Sequence, residues 1–301
     1  MTISIDRRQL IAGTAALVAA GIVPVRAVAR QATPAAPAAT PTDDGIDVPV
    51  LGVSYTADGV TVSPGEIAAG TVRMLASSDG TDDQGSMIFS VPEGEDVEAV
   101  LALARTPDSQ PPDWFFDATF PGGVRSGVHT PSVAEGFVTF DPGTYVVMDS
   151  ATSTAVPLVV TGEAAAPVEF PATVHVIAED SMTFTGLEEP VPAGRQLWRL
   201  DNGGELHHDI YIYGTPEGTT AEDIVGIFQA MFSGATPEGG GDPFEGYGEG
   251  VMSTAMMSGG RTNGFYLDLA PGPYAAMCTG FDSLESPPHF IMGMVVTFTV
   301  A

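Results

Sequence analysis

Short runs in which apolar and polar residues alternate occupy the second half of the chain. Residues 196–200, 208–213, 265–269, 274–278 and 295–300 are short segments of apolar, aromatic and β-branched side chains, the first two of them bounded by Gly and Asp. A period of two places one set of side chains on a core face and the other toward water, so these runs predict strands. A period near 3.6 occurs at one place, where Ile224, Ile227, Phe228 and Met231 form a single stripe behind Thr219 and Glu222. That spacing predicts one helix opened by a capping box, its stripe packed on the sheet. About seven short strands per ~120 residues predict Greek-key β-sandwiches.

The pattern occurs twice. At an offset of 124, Gly70 falls on Gly194 and Pro92-Glu93-Gly94 on Pro216-Glu217-Gly218. At an offset of 129, Pro142-Gly143-Thr144-Tyr145 falls on Pro271-Gly272-Pro273-Tyr274, the change being absorbed by the glycine-rich loop 234–250. Several matches in order at a nearly constant offset predict duplication. The expected architecture is all-β, with two tandem sandwiches over residues 46–163 and 168–301.

The first 45 residues have a different character. Arg7-Arg8 precedes an apolar stretch from Leu10 to Val23, and Ala27-Val28-Ala29 follows. This is the layout of a twin-arginine export signal over residues 1–29, and the stretch is short for a membrane span of ~20 residues. Residues 30–45, rich in Ala, Pro and Thr, predict a flexible linker. An exported, periplasmic or extracellular protein is expected.

Composition narrows the function. The chain has 301 residues, with 36 Gly and 25 Pro, and a formal charge of −28, its ten basic residues all being arginine. Such a surface repels phosphate backbones, which excludes a nucleic-acid binder working by charge neutralisation. The acidic run at Asp242, Glu245 and Glu249 reads most simply as a solvated loop; the alternative is a surface that steers a basic partner. The single cysteine, Cys278, excludes an internal disulfide.

A free thiol in an exported protein is an oxidation liability, so its retention needs a reason: a buried inert thiol or a metal ligand. Eleven residues after Cys278 comes His289, then Met294, and 70 residues before it stands His207-His208. Two imidazoles, a thiolate and a weak thioether make the ligand set of a blue-copper electron-transfer site. Strand parity selects among them. His208 shares the face of Ile210 and Ile212, whereas His207 lies with Asp209, Tyr211 and Tyr213 and points outward. Met294 is in register with Val296, Phe298 and Val300; Met292 precedes the Gly293 turn and is the reserve axial ligand. The expected metal ligands are therefore His208, Cys278, His289 and Met294, holding one type 1 copper.

With the Asn202-Gly203 turn before a histidine, Pro-Gly-x-Tyr leading to cysteine, and His289 followed at Gly293-Met294, residues 170–301 resemble the cupredoxin family of type 1 copper proteins. Residues 50–163 resemble it in fold. The resemblance implies a copper near one end of the sandwich, reached through the exposed edge of His289. Two departures stand out. The ten residues between Cys278 and His289 exceed the usual loop, and Asp209 replaces the asparagine that ties the ligand loops together in many relatives. In the first half Gln84 and Asp149 stand where His208 and Cys278 would be, so that half is expected to bind no copper and to act as a structural or docking sandwich.

Met277 and Thr279 flank Cys278, and the chain has no His-x-His pair, so the wiring of a catalytic multicopper centre is missing and no enzyme is expected. His129 and His175 have no spaced partners and read as surface residues. Two other readings remain: a periplasmic copper carrier or buffer that adds Met252, Met256 and Met257 as thioether ligands, and a copper-free structural or interaction module.

Overall fold

The computed structural model describes residues 42, 44–79, 86–107, 109–125, 131–233, 244–248 and 250–301. The export signal, most of the linker, Gln84, His129, Asp242 and Glu249 lie outside the described residues.

Strands dominate. The first half contains β1 (Val50–Thr56), β2 (Gly59–Ser63), β3 (Glu66–Ala68), β4 (Gly70–Asp79), β5 (Ser86–Ser90), helix α1 (Val97–Ala104), β6 (Val124–Arg125), β7 (Pro131–Phe140), β8 (Gly143–Asp149) and β9 (Thr154–Thr161). The second contains β10 (Val174–Glu179), β11 (Thr183–Thr185), β12 (Gly194–Asn202), β13 (Tyr211–Gly214), helix α2 (Ala221–Phe232), β14 (Gly250–Thr254), β15 (Thr262–Leu269), β16 (Gly272–Met277) and β17 (Val295–Val300).

Pairings in one half recur in the other. β1 runs parallel to β4 and β10 parallel to β12; β4 pairs antiparallel with β7 and β12 with β15; β8 pairs with β9 and β16 with β17. Each Pro-Gly-x-Tyr segment ends alike, with Tyr145 Oη donating to Asp141 O at 3.2 Å and Tyr274 Oη to Ala270 O at 3.0 Å. The halves join through corresponding strands. β7 pairs with β15 to make one sheet in the order β11-β10-β12-β15-β7-β4-β1-β2, and β6 adds to β14 at the edge of β17-β16-β13-β14-β6. The four strands β3-β9-β8-β5 face the shared sheet from the first half.

One core runs through both halves, from Leu51 and Tyr145 to Trp198, Phe265 and Phe298. Trp198 lies 6.0 Å from each of the Phe265 and Phe298 rings, filling the second sandwich where its two sheets face each other. At the junction the Arg73 guanidinium is buried, bonded to Glu135 at 2.6 Å and Asp44 at 2.5 Å, and Arg195 reaches the other Glu135 oxygen at 3.0 Å. Thr42 N also donates to Glu135 at 2.8 Å. Thr42 and Asp44, assigned to the linker by composition, are thus pinned to the folded body by charged partners that the local sequence does not display.

Helix α2 begins one residue later than its pattern predicts. Thr220, not Thr219, is the N-cap, and Asp223, not Glu222, completes the capping box. Thr219 Oγ1 instead donates to Pro216 O, closing the preceding turn. Ile224 and Phe228 are buried by the helix, while Met231 at the end of the stripe is exposed.

Candidate metal centre

Cys278 follows the last residue of β16 and is fully buried. Its carbonyl accepts from Phe290 N at 3.0 Å, its N–H donates to Met294 O at 3.1 Å, and Met294 N donates to His289 O at 2.9 Å. These bonds fold residues 278–294 back on themselves and carry His289 to the thiol. His208 comes from another direction. The Asn202 amide holds its approach, donating to Leu206 O at 2.8 Å and Met257 O at 2.9 Å, and His208 and Met257 then exchange backbone bonds at 3.0 and 2.9 Å.

The three donor atoms form a nearly equilateral triangle. Cys278 Sγ lies 3.6 Å from His208 Nδ1 and 3.5 Å from His289 Nδ1, and the two nitrogens are 3.1 Å apart. A point equidistant from all three lies about 2.0 Å from each, the length of a metal–imidazole bond (~2.0–2.1 Å). Among the described residues this is the one grouping of three metal-ligating His, Cys, Asp or Glu side chains, and all three are 0 % exposed. Met294 is also fully buried, in the core cluster that contains Cys278, whereas Met292 is 40 % exposed.

The electrostatics suit neutral ligands around a thiol. Burial, reinforced by the neighbouring His289 ring, pushes the His208 imidazolium below its usual range. Burial, and then the charge of Asp209, raise the Cys278 thiol well above its usual range. Asp209 N nonetheless donates to Sγ at 3.4 Å, a bond that would favour a thiolate once a metal supplied positive charge. Gly280 sits against the same atoms: a Cβ there would meet His207 O at 2.6 Å, Sγ at 3.3 Å and His289 Nδ1 at 3.5 Å.

Parity places His208 inward correctly but fails at the next residue. The run 208–213 is regular strand only from Tyr211, and His208, Asp209 and Ile210 are all buried. Alternation stops because both faces of this segment are covered. Asp209 turns to the ligand loop, accepting from Thr279 N at 2.5 Å and from Thr279 Oγ1. It therefore joins the segments that carry His208 and Cys278, the task expected of asparagine.

The expectation of an exposed His289 edge is also corrected. His289 Nε2 is bonded to Asp282 Oδ1 at 3.1 Å, and His208 Nε2 to Asp180 Oδ1 at 3.3 Å. The first half closes over this end: Phe120 packs edge-on against His207, 4.8 Å between centroids, and Phe120 and Ser258 are bonded through two contacts of 2.9 Å. Pattern reading missed Asp180, Asp282 and Phe120, because none lies at a ligand-like spacing from a histidine. Met252 and Met257 belong to the main core and Met256 to a separate cluster with Phe89 and Phe120. The three are thus divided between two core clusters rather than gathered into one thioether group. His175 is exposed and bonded to Asp201 at 2.6 Å.

The structure is thus an all-β sandwich protein with a buried cluster of two histidines and a cysteine. No protein-family description and no curated sequence matches the chain. Among solved structures, it is similar to reduced auracyanin from Roseiflexus castenholzii (17 % identity, 44 % of this chain and 99 % of that one, TM-score 0.29). It is likewise similar to auracyanin A, a "blue" copper protein from Chloroflexus aurantiacus (17 %, 42 % and 97 %, 0.29), and to a copper nitrite reductase from Nitrosomonas europaea (12 %, 84 % and 93 %, 0.24). The donor triangle, not these distant likenesses, carries the functional reading.

Proposed function

We propose that this chain is a mononuclear type 1 copper protein that carries single electrons between redox partners. The carrying observation is the convergence of Cys278 Sγ, His208 Nδ1 and His289 Nδ1 around one point at bonding distance. The donor set fits copper: a soft thiolate suits Cu(I), imidazole suits Cu(II), and one trigonal frame serves both with little rearrangement. Bound copper would supply a one-electron couple. The residues' part is to hold that frame rigid, with Met294 as the weak axial ligand, and to exclude water. Complete burial of the three donors favours transfer through the protein over chemistry on a substrate at the metal.

In this reading residues 168–301 are the cupredoxin-like copper unit, and 46–163 are a ligand-free sandwich that closes its end. Residues 1–29 would direct export by the twin-arginine route, and the acidic surface would favour a basic partner. No helix among the described residues is long and apolar enough to cross a membrane.

Adding Cu(II) to pure apoprotein tests the reading. The expected result is an intense visible thiolate-to-copper band that is absent from Cys278→Ala. A colourless or pale product from the wild-type chain overturns it.

A further inference from the structure

Both imidazoles of the triangle are held from behind by a carboxylate. His208 Nε2 faces Asp180 Oδ1 at 3.3 Å and His289 Nε2 faces Asp282 Oδ1 at 3.1 Å. A carboxylate accepts only, so each pairing puts the imidazole proton on Nε2 and leaves the Nδ1 lone pair directed at Cys278. Each aspartate is itself anchored, Asp180 through its carboxylate and Asp282 through its backbone. Asp180 accepts from Glu205 N at 2.9 Å and Leu206 N at 3.1 Å, in the turn that leads to His208. Asp282 is fixed through its N–H, which donates to Ser286 Oγ at 3.0 Å within the loop that leads to His289. The arrangement recurs on two chain segments that share no sequence pattern.

We infer that Asp180 and Asp282 are positioning residues that fix the tautomer and ring orientation of both histidines and bias the centre toward the oxidised metal. The inference rests on the copper reading above. A carboxylate behind an imidazole raises its basicity, and a more basic donor, with a negative charge nearby, stabilises the more positive ion. Both carboxylates reach solvent, with Asp180 40 % and Asp282 28 % exposed, while their histidines are 0 % exposed. They are therefore hydrated on one side and cost little to keep charged, yet act on buried donors.

The test is copper loading of wild type, Asp180→Asn, Asp282→Asn and the remote surface control Asp268→Asn. Cu(II) and Cu(I) affinities, reduction potential and the copper hyperfine pattern would be read for each. Each positioning variant is expected to lose Cu(II) affinity about 10–100-fold with Cu(I) affinity little changed. For a one-electron couple that raises the potential by ~59 mV per tenfold. The hyperfine pattern should change with ring orientation, a response that removal of a distant charge in the control does not produce. Unaltered potential and hyperfine pattern in Asp282→Asn overturn the inference, and this variant decides the matter if Asp180→Asn fails to fold after losing its turn. A wild-type protein without the thiolate band would sink the copper reading itself; a coloured wild type with indifferent variants sinks the carboxylates' role alone.

Discussion

Phe116, in the short 3-10 turn Asp113–Asp117 of the first half, packs edge-on against Phe281 in the loop between Cys278 and His289, with ring centroids 5.8 Å apart. The first half thus roofs the end of the other that carries the His208, Cys278 and His289 cluster. Phe120 strengthens the roof from 0 % exposure, touching His207 beside His208 of the donor triangle.

Trimming that roof should loosen the centre before it unfolds the protein. Phe116→Ala removes a partly buried ring and is expected to cost about 1–3 kcal/mol, and Phe120→Ala about 3–5 kcal/mol. In both, removal of copper by a chelator should accelerate while the unloaded fold persists in Phe116→Ala. Denaturant titration and extraction kinetics check this, and unchanged extraction rates in both variants would remove the first half from any role at the site.

Asp209 ties the segment of His208 to that of Cys278 by accepting both the N–H and the hydroxyl of Thr279. Asp209→Ala leaves the half-buried Thr279 N–H and hydroxyl without their partner, a loss of about 1 kcal/mol or more. The bond from residue 209 N–H to Sγ would loosen with it. The expected readout is a broadened copper spectrum with weaker binding; a spectrum as sharp as wild type would show that Thr279 needs no such anchor.

Acid should strip one fastening at the junction of the halves. Burial alone would raise the Asp44 carboxyl, but the Arg73 guanidinium and the Tyr266 hydroxyl outweigh it and hold it down at about 2. A depressed folded-state value means that stability from this group is present above the unfolded carboxyl range, near 3.9, and is lost as pH falls toward 2. Denaturation midpoints should therefore decline over that interval, and the decline should be shallower in Asp44→Asn. Equal slopes in the two proteins would refute this assignment.

Removing the cation is the harsher version of the same experiment. Arg73→Met strands Glu135 and Asp44 without their buried partner, and breaking a buried ion pair costs about 3–5 kcal/mol. A midpoint within a few tenths of wild type would mean that Arg195 alone neutralises Glu135.

Much of this protein is written locally. Alternation set the strands 265–269 and 295–300, the two Pro-Gly-x-Tyr segments announced corresponding strands β8 and β16, and parity turned His208 inward. Those features depend on neighbours one or two positions away, so a linear reading reaches them. The capping box slipped by one residue because Thr219 and Thr220 are equally good caps in sequence, and the choice fell to Pro216, whose carbonyl takes the Thr219 hydroxyl.

Other features depend on what a side chain meets after the halves join. Asp209 is buried because Thr279 lies opposite it, 70 positions along the chain. His289 is closed off because Asp282 and the ligand loop surround it, under a roof provided by Phe116. Asp180 reaches His208 across a turn that no periodicity marks. By itself the sequence determined which donor atoms the chain possesses and that they stand at the ends of predicted strands, since strand patterning is a local property. Only the tertiary structure decided how close the donors come, what holds them from behind and whether water reaches them, because distance and burial arise from segments that meet only when the chain is packed.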